Sequence, residues 1–117
     1  MNDYIRECTI ENLVRYSSNF YIGIYYKTFK WAQFVYDKLL EHFKKLDCVA
    51  RASIEKNGFG FIVLKNGTIY QILRADGTSR GYKNNIVYME KGIDEDTFDS
   101  AIAPSLMSYK NLYMVTR

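Results

Sequence analysis

The residues of this chain whose types and spacing suit chemistry centre on Glu90. It closes an uncharged apolar run, Ile86-Val87-Tyr88-Met89, of the composition that buried strands carry. A carboxylate at the end of such a strand can serve as a catalytic base. It can equally be a plain strand-end acid paired with Lys91 or Arg80. Arg80, Gly81 and Lys83 lie just upstream in a polar loop. Backbone donors with two cations there suit an anion such as a nucleic-acid phosphate, or simply a solvated loop. Lys27, Lys30, Lys44, Lys45 and Arg51, interleaved with Tyr25, Tyr26 and Trp31, offer phosphate contacts beside stacking rings. Ordinary surface lysines on a helix account for them almost as well.

Other chemistries fail on spacing. No G-x-x-x-x-G-K-[ST] occurs, so the loop that would hold nucleotide phosphates is missing. Gly58-x-Gly60 has no third glycine and leads into a strand, which fits a hairpin or bulge rather than a dinucleotide site. His42 has no Cys, Asp or Glu partner at metal-ligand spacing. Ser105 and Ser108 have no histidine nearby in sequence, which argues against a hydrolase triad. Asp94, Glu95, Asp96 and Asp99 form an acidic cluster that suits the positive end of a helix, a patch mimicking nucleic acid being the alternative. Cys8 and Cys48 make no disulfide framework and no C-x-x-C, so a reduced cytosolic protein without metal or cofactor is expected.

The totals bound the answer. At 117 residues, one domain with a modest core is expected, residues 1–117. Hydrophobic residues make up 48% and charged residues 25%, which marks a globular rather than a disordered chain. A net charge of +3 is too small to identify a nucleic-acid binder by itself. The 11 tyrosines suit surfaces that are apolar and hydrogen-bonding at once, protein interfaces among them. The N-terminal MNDYIRECTIENLV reads as no signal peptide, and the longest apolar runs fall far short of a membrane span.

The elements that must position these residues follow from periodicity. Residues 2–16 carry Tyr4, Ile5, Cys8, Leu13 and Val14 at roughly helical spacing. Phe20–Tyr26 reads as a buried strand of a parallel sheet. Thr28 is placed to cap a helix over about Lys30–Leu46, with Trp31, Phe34, Val35, Leu39, His42 and Phe43 as its apolar stripe. Ala50–Glu55 reads as a short strand. Phe59–Leu64 and Thr68–Ala75 are two strands joined across Lys65-Asn66-Gly67, since Asn-Gly between apolar runs signals a hairpin. Asp94–Met107 reads as a helix that Pro104 kinks or ends. Leu112–Thr116 is a last strand.

Four of these segments, in order, carry a resemblance. Asn66-Gly67-Thr68-Ile69, Arg80-Gly81-Tyr82, Ile86-Val87-Tyr88-Met89-Glu90 and Ile102-Ala103-Pro104-Ser105-Leu106 resemble the second half of the ATPase core of phage terminase large subunits, the motors that package viral DNA. Phe20 to Lys38, with Tyr25-Tyr26-Lys27-Thr28-Phe29-Lys30-Trp31-Ala32-Gln33 as its motif, is similar to that family's second strand and following helix. The resemblance makes Met89-Glu90 the Walker B position. There an Asp would help hold magnesium and the Glu would orient water. Met89 is a poor ligand for a hard cation, so the site is expected to be degenerate. The resemblance also implies loss of the family's first strand and phosphate loop. That strand sits beside the one matching Leu112–Thr116, whose edge is therefore expected to be unpaired.

The expected fold is α/β: a small parallel three-stranded sheet with flanking helices and an antiparallel β-hairpin. Phe20–Tyr26, Ile86–Glu90 and Leu112–Thr116 are expected as parallel neighbours with Ile86–Glu90 in the middle. The expected function is a non-catalytic phage or prophage accessory protein in the cytoplasm of a bacterial host, binding a host or phage protein, for example as an inhibitor of a defence or replication machine. Unpaired edges invite partners or a homodimer. The partner surface is expected at Phe59, Phe61, Tyr70 and Tyr113. Two alternatives stand: a nucleic-acid-binding packaging factor using Lys27, Lys30, Trp31, Arg80 and Lys83, and an ATPase fragment that needs a second chain for its phosphate loop. No membrane association is expected.

Overall fold

A computed structural model describes residues 5–15, 20–56, 58–79, 81–106 and 112–115. The described elements are β1 (Arg6–Cys8), a 3-10 turn (Ile10–Arg15), β2 (Tyr21–Tyr26), α1 (Phe29–Lys45), β3 (Val49–Ile54), β4 (Gly60–Leu64), β5 (Ile69–Arg74), a 3-10 turn (Gly77–Ser79), β6 (Ile86–Glu90), α2 (Glu95–Thr97) and β7 (Leu112–Val115). They form an α/β structure around one seven-stranded mixed sheet, in the order β1-β7-β6-β2-β5-β4-β3.

β6 lies between β2 and β7, and all three run parallel. Their near-continuous apolar composition dictates this, because a strand buried on both faces has nowhere to put a charge. From Ile22 to Tyr26 every residue of β2 is buried, as is every residue of β6 from Ile86 to Met89.

A three-stranded sheet is nonetheless too small. β5 pairs parallel with β2 on its other side, from Tyr21 opposite Ile69 to Tyr26 opposite Arg74. The hairpin is therefore not an appendage. β4 and β3 follow β5 antiparallel and extend the same sheet. Tyr70, Ile72 and Leu73 are buried, and only insertion beside β2 could bury so apolar a strand on both faces.

The N-terminal segment is also different. Residues 2–16 were expected to be helical, but Arg6–Cys8 is a strand paired parallel with Tyr113–Val115. After it, the Asn12 side chain accepts from the Thr9 N–H at 2.8 Å, while the Asn12 N–H donates to the Thr9 carbonyl at 3.1 Å. These bonds start the next segment in the manner of a capping box, and it runs as a 3-10 turn over Ile10–Arg15. The expected free edge at Leu112–Thr116 is thus corrected: within its described part, β7 is flanked by β6 and β1. Thr9-Ile10-Glu11 follows β1 and opens the 3-10 turn.

Two apolar layers cover the sheet. On the first face α1 and the 3-10 turn at Ile10 set Leu13, Val35, Leu39 and Phe43 against Ile22, Ile24, Ile62, Tyr70 and Ile72. Burying each large side chain contributes about 1.5–3 kcal/mol, so packing is the main force that holds α1 down. The expected stripe is rotated: Ala32 and Tyr36 face inward and Phe34 is exposed. On the second face Ile93, Phe98 and Ile102 cover Tyr25, Leu73, Val87, Met89 and Leu112. This cover starts as α2, widens to a π turn over Phe98–Ile102 and tightens to a 3-10 turn over Ala103–Ser105. Pro104, which has no N–H for an α-helical bond, accounts for the unwinding.

Gly23 sits inside buried β2 for a packing reason. A Cβ there would lie 2.5 Å from the Asn84 amide nitrogen. Asn84 is fully buried and holds a polar cluster on the second face. Its amide donates to the Tyr25 hydroxyl at 3.3 Å and the Ser105 hydroxyl at 3.2 Å, and its oxygen accepts from Gln71 at 3.0 Å.

Candidate functional site

β2 and β6 are parallel neighbours whose following segments leave to opposite faces, α1 on the first and α2 with its continuation on the second. Such a switch point at the carboxyl ends of strands is where open α/β sheets place ligands. Glu90 stands there. One carboxylate oxygen accepts from the Lys27 N–H at 2.7 Å and the Thr28 N–H at 2.9 Å. The other accepts from the Thr28 hydroxyl at 3.1 Å. Thr28 occupies the N-cap position of α1 but makes no side-chain cap of its own. Glu90 therefore places a negative charge at the positive end of α1 and ties β6 to the β2–α1 junction. A carboxylate holding those three donors is a joint between elements.

Met89 alternates to the second face and is buried in the apolar layer there. Lys27 is likewise engaged, since its ammonium donates to the Gly92 carbonyl at 3.1 Å. Asp94 caps α2 by accepting from the Thr97 N–H at 2.7 Å, and that bond, with the Thr97 hydroxyl, holds its carboxyl below the usual range. Helix capping thus accounts for Asp94. Burial pushes the Cys8 thiol up to about 11, so at neutral pH it is protonated and a poor nucleophile.

The expected basic set does not form one track. Lys30 and Trp31 line an open depression with Thr28, Phe34 and Glu90 at the start of α1. Lys83 lines a different depression, with Ser79, Tyr82, Ser100 and Ser105, in the loop that crosses the second face. Arg80 lies outside the described residues, as does Thr116.

The expected partner residues also divide. Tyr70 is fully buried on the first face; its hydroxyl donates to the Leu13 carbonyl at 2.5 Å and its ring lies 5.4 Å from that of Phe43. It is a core residue, and its place on a partner surface is corrected. Tyr113 is half-buried, stacked on Tyr88 at 5.2 Å beneath the Arg6 guanidinium, in a strand paired on both sides. Phe59 and Phe61 do face outward. The second-face cover ends over β5, leaving a groove of about 310 Å3 floored by Ser53, Phe61, Val63, Ile69 and Gln71.

Three groove residues were not singled out for this role by sequence. Arg51 lies 5.6 Å over the Phe61 ring, Tyr82 stacks on Phe59 at 6.4 Å, and Glu55 is also part of the lining. The strand alternation of Arg51-Ala52-Ser53-Ile54-Glu55 was the available signal, because it puts the polar residues on one face.

Among the described residues, no three His, Cys, Asp or Glu side chains gather as a metal site, and no helix is long and apolar enough to cross a membrane. Compared with known proteins, the chain matches no family model and is significantly similar to no curated protein.

Proposed function

We propose that this chain is a non-catalytic binding protein that engages a protein partner through the open sheet face over β3, β4 and β5. The observation that carries this reading is the uncovered groove itself: Phe59 and Phe61 are partly buried, Tyr82 is exposed, and Arg51 lies among them. Aromatic residues and Arg are the types enriched in interface cores. The engagement of Glu90 by Lys27 and Thr28, and the burial of Met89, support a role without phosphoryl transfer. The resemblance to terminase ATPases extends the proposal to a phage or prophage accessory protein acting in the bacterial cytoplasm, with a host defence or replication machine as its target.

A second reading has its own observation. Lys30, Trp31 and exposed Phe34 form a basic–aromatic depression of the kind that stacks single-stranded bases. Affinity capture from host cells, with and without nuclease, separates the two. Under the first reading a captured protein survives nuclease and Lys30→Glu but is lost with Phe61→Asp. Capture that needs nucleic acid and Lys30 overturns it in favour of the second.

A further inference from the structure

β3 is a sheet edge whose outer side pairs with no described strand. The Glu55 N–H donates to the Phe59 carbonyl at 2.9 Å, which turns the backbone groups of Glu55 toward β4. By antiparallel alternation those of Ser53 and Arg51 turn the same way. The N–H and C=O groups of Ala52 and Ile54 therefore point outward, away from the sheet. The other edge, β1, is only three residues long and carries exposed Arg6 and Glu7, a composition that blunts pairing. β3 carries a register shift between Val49 and Arg51, but Arg51–Ile54 is regular.

We propose that β3 pairs antiparallel with β3 of a second copy of this chain, about a two-fold axis at Ser53. Backbone direction allows an antiparallel self-pairing to centre on Ala52, Ser53 or Ile54, and charge selects among them: centred on Ile54, Glu55 faces Ser53. Centred on Ser53, Ala52 and Ile54 of the second copy exchange both their N–H···O bonds, as do Ile54 and Ala52 of the second copy. Arg51 then stands directly opposite Glu55 of the second copy, in the closely spaced type of pair, and the reciprocal pair forms across the axis. Centred on Ala52, Arg51 faces Ser53 instead. The planar Arg51 guanidinium can stay on the Phe61 ring while its edge meets the carboxylate.

Residues facing each other across antiparallel strands share a sheet face, so the pairing sets the two open grooves side by side. Arg51, Ser53, Phe61 and Tyr82 of both copies then line one continuous surface. This inference deepens the proposed function and rests on it: the footprint offered to a partner spans two copies.

Sedimentation velocity on the full chain tests it. Wild type is expected to be a dimer. Arg51→Glu and Glu55→Arg should each be folded and monomeric, since each places like charges opposite one another twice. An equal mixture of the two single variants should dimerise again, because a mixed pair restores opposite charges at both facing positions. Ala52→Pro should also be monomeric, as it removes an outward N–H that β4 does not use. A wild type that stays monomeric at its solubility limit overturns the proposal, as does a dimer unaffected by the charge variants, or a mixture that stays monomeric. A monomer that still captures its partner through Phe61 sinks the pairing alone. A charge-dependent dimer whose capture ignores Phe61→Asp sinks the groove reading instead.

Discussion

Replacing Glu90 tests whether that carboxylate is a joint or a catalyst. Glu90→Ala removes the acceptor for the Lys27 and Thr28 N–H groups and for the Thr28 hydroxyl. A hydrogen bond to a charged group contributes about 1.5–3 kcal/mol, and loss of a helix cap about 0.5–2 kcal/mol. Glu90 is only partly buried, so water replaces some of the lost bonding and the sum is not additive. A net loss of about 2 kcal/mol follows, out of a total stability of about 5–15 kcal/mol. With a urea slope of about 1.5 kcal/mol per molar, the unfolding midpoint should fall by more than about 1 M. Glu90→Gln keeps an oxygen toward both amides but loses the charge and puts an NH2 where the Thr28 hydroxyl donated, so its midpoint should lie between the other two. Partner capture should persist in both variants. A Glu90→Ala midpoint equal to wild type would refute the capping argument. Magnesium-dependent ATP turnover that Glu90→Gln abolishes would refute the non-catalytic one.

Val87→Asp puts a charge at a fully buried position of central β6, where an uncompensated ion costs several kcal/mol, about the whole stability; no cooperative thermal transition is expected. Gly58→Ala forces an L-residue to φ +97 with its Cβ 1.8 Å from the Tyr26 hydroxyl. Left-handed strain alone costs roughly 1–2 kcal/mol, so scanning calorimetry should show a Tm lower by at least about 4 °C. In a Cys48→Ser background, thiolate absorbance should develop only as pH approaches about 11, and thiol reagents should react slowly at neutral pH. Thiolate formation near pH 8.5, the value of a free cysteine, would show Cys8 to be solvated.

The middle of the sheet was legible because burial on both faces leaves its mark as an unbroken apolar run. Phe20–Tyr26 and Ile86–Glu90 carry that mark, and both became central strands. β1 was not legible: three residues, two of them charged, become a strand only because β7 offers them an edge. β5 carries the same apolar signal as β2, but the Asn-Gly turn encodes only its antiparallel partner β4, while its parallel pairing with β2 has no local signal. Alternation located two faces on the hairpin without saying which one α1 would cover, so Tyr70 was placed with Phe61 although it lies on the other side. The position of Glu90 at a strand end was readable; its engagement depends on where the β2–α1 junction lands, which no local pattern encodes. For the Asn84 cluster the one signal was Gly23, a glycine inside an aromatic and β-branched strand, which marks close approach of another group.

The most direct measurement is amide hydrogen exchange on the captured complex, compared with the free chain. Protection is expected to rise over Arg51–Phe61 and Ile69–Leu73, the strands that floor the groove, with Lys30–Phe34 unchanged. New protection confined to the start of α1, with the groove strands exchanging as in the free chain, would contradict a partner surface on the open sheet face.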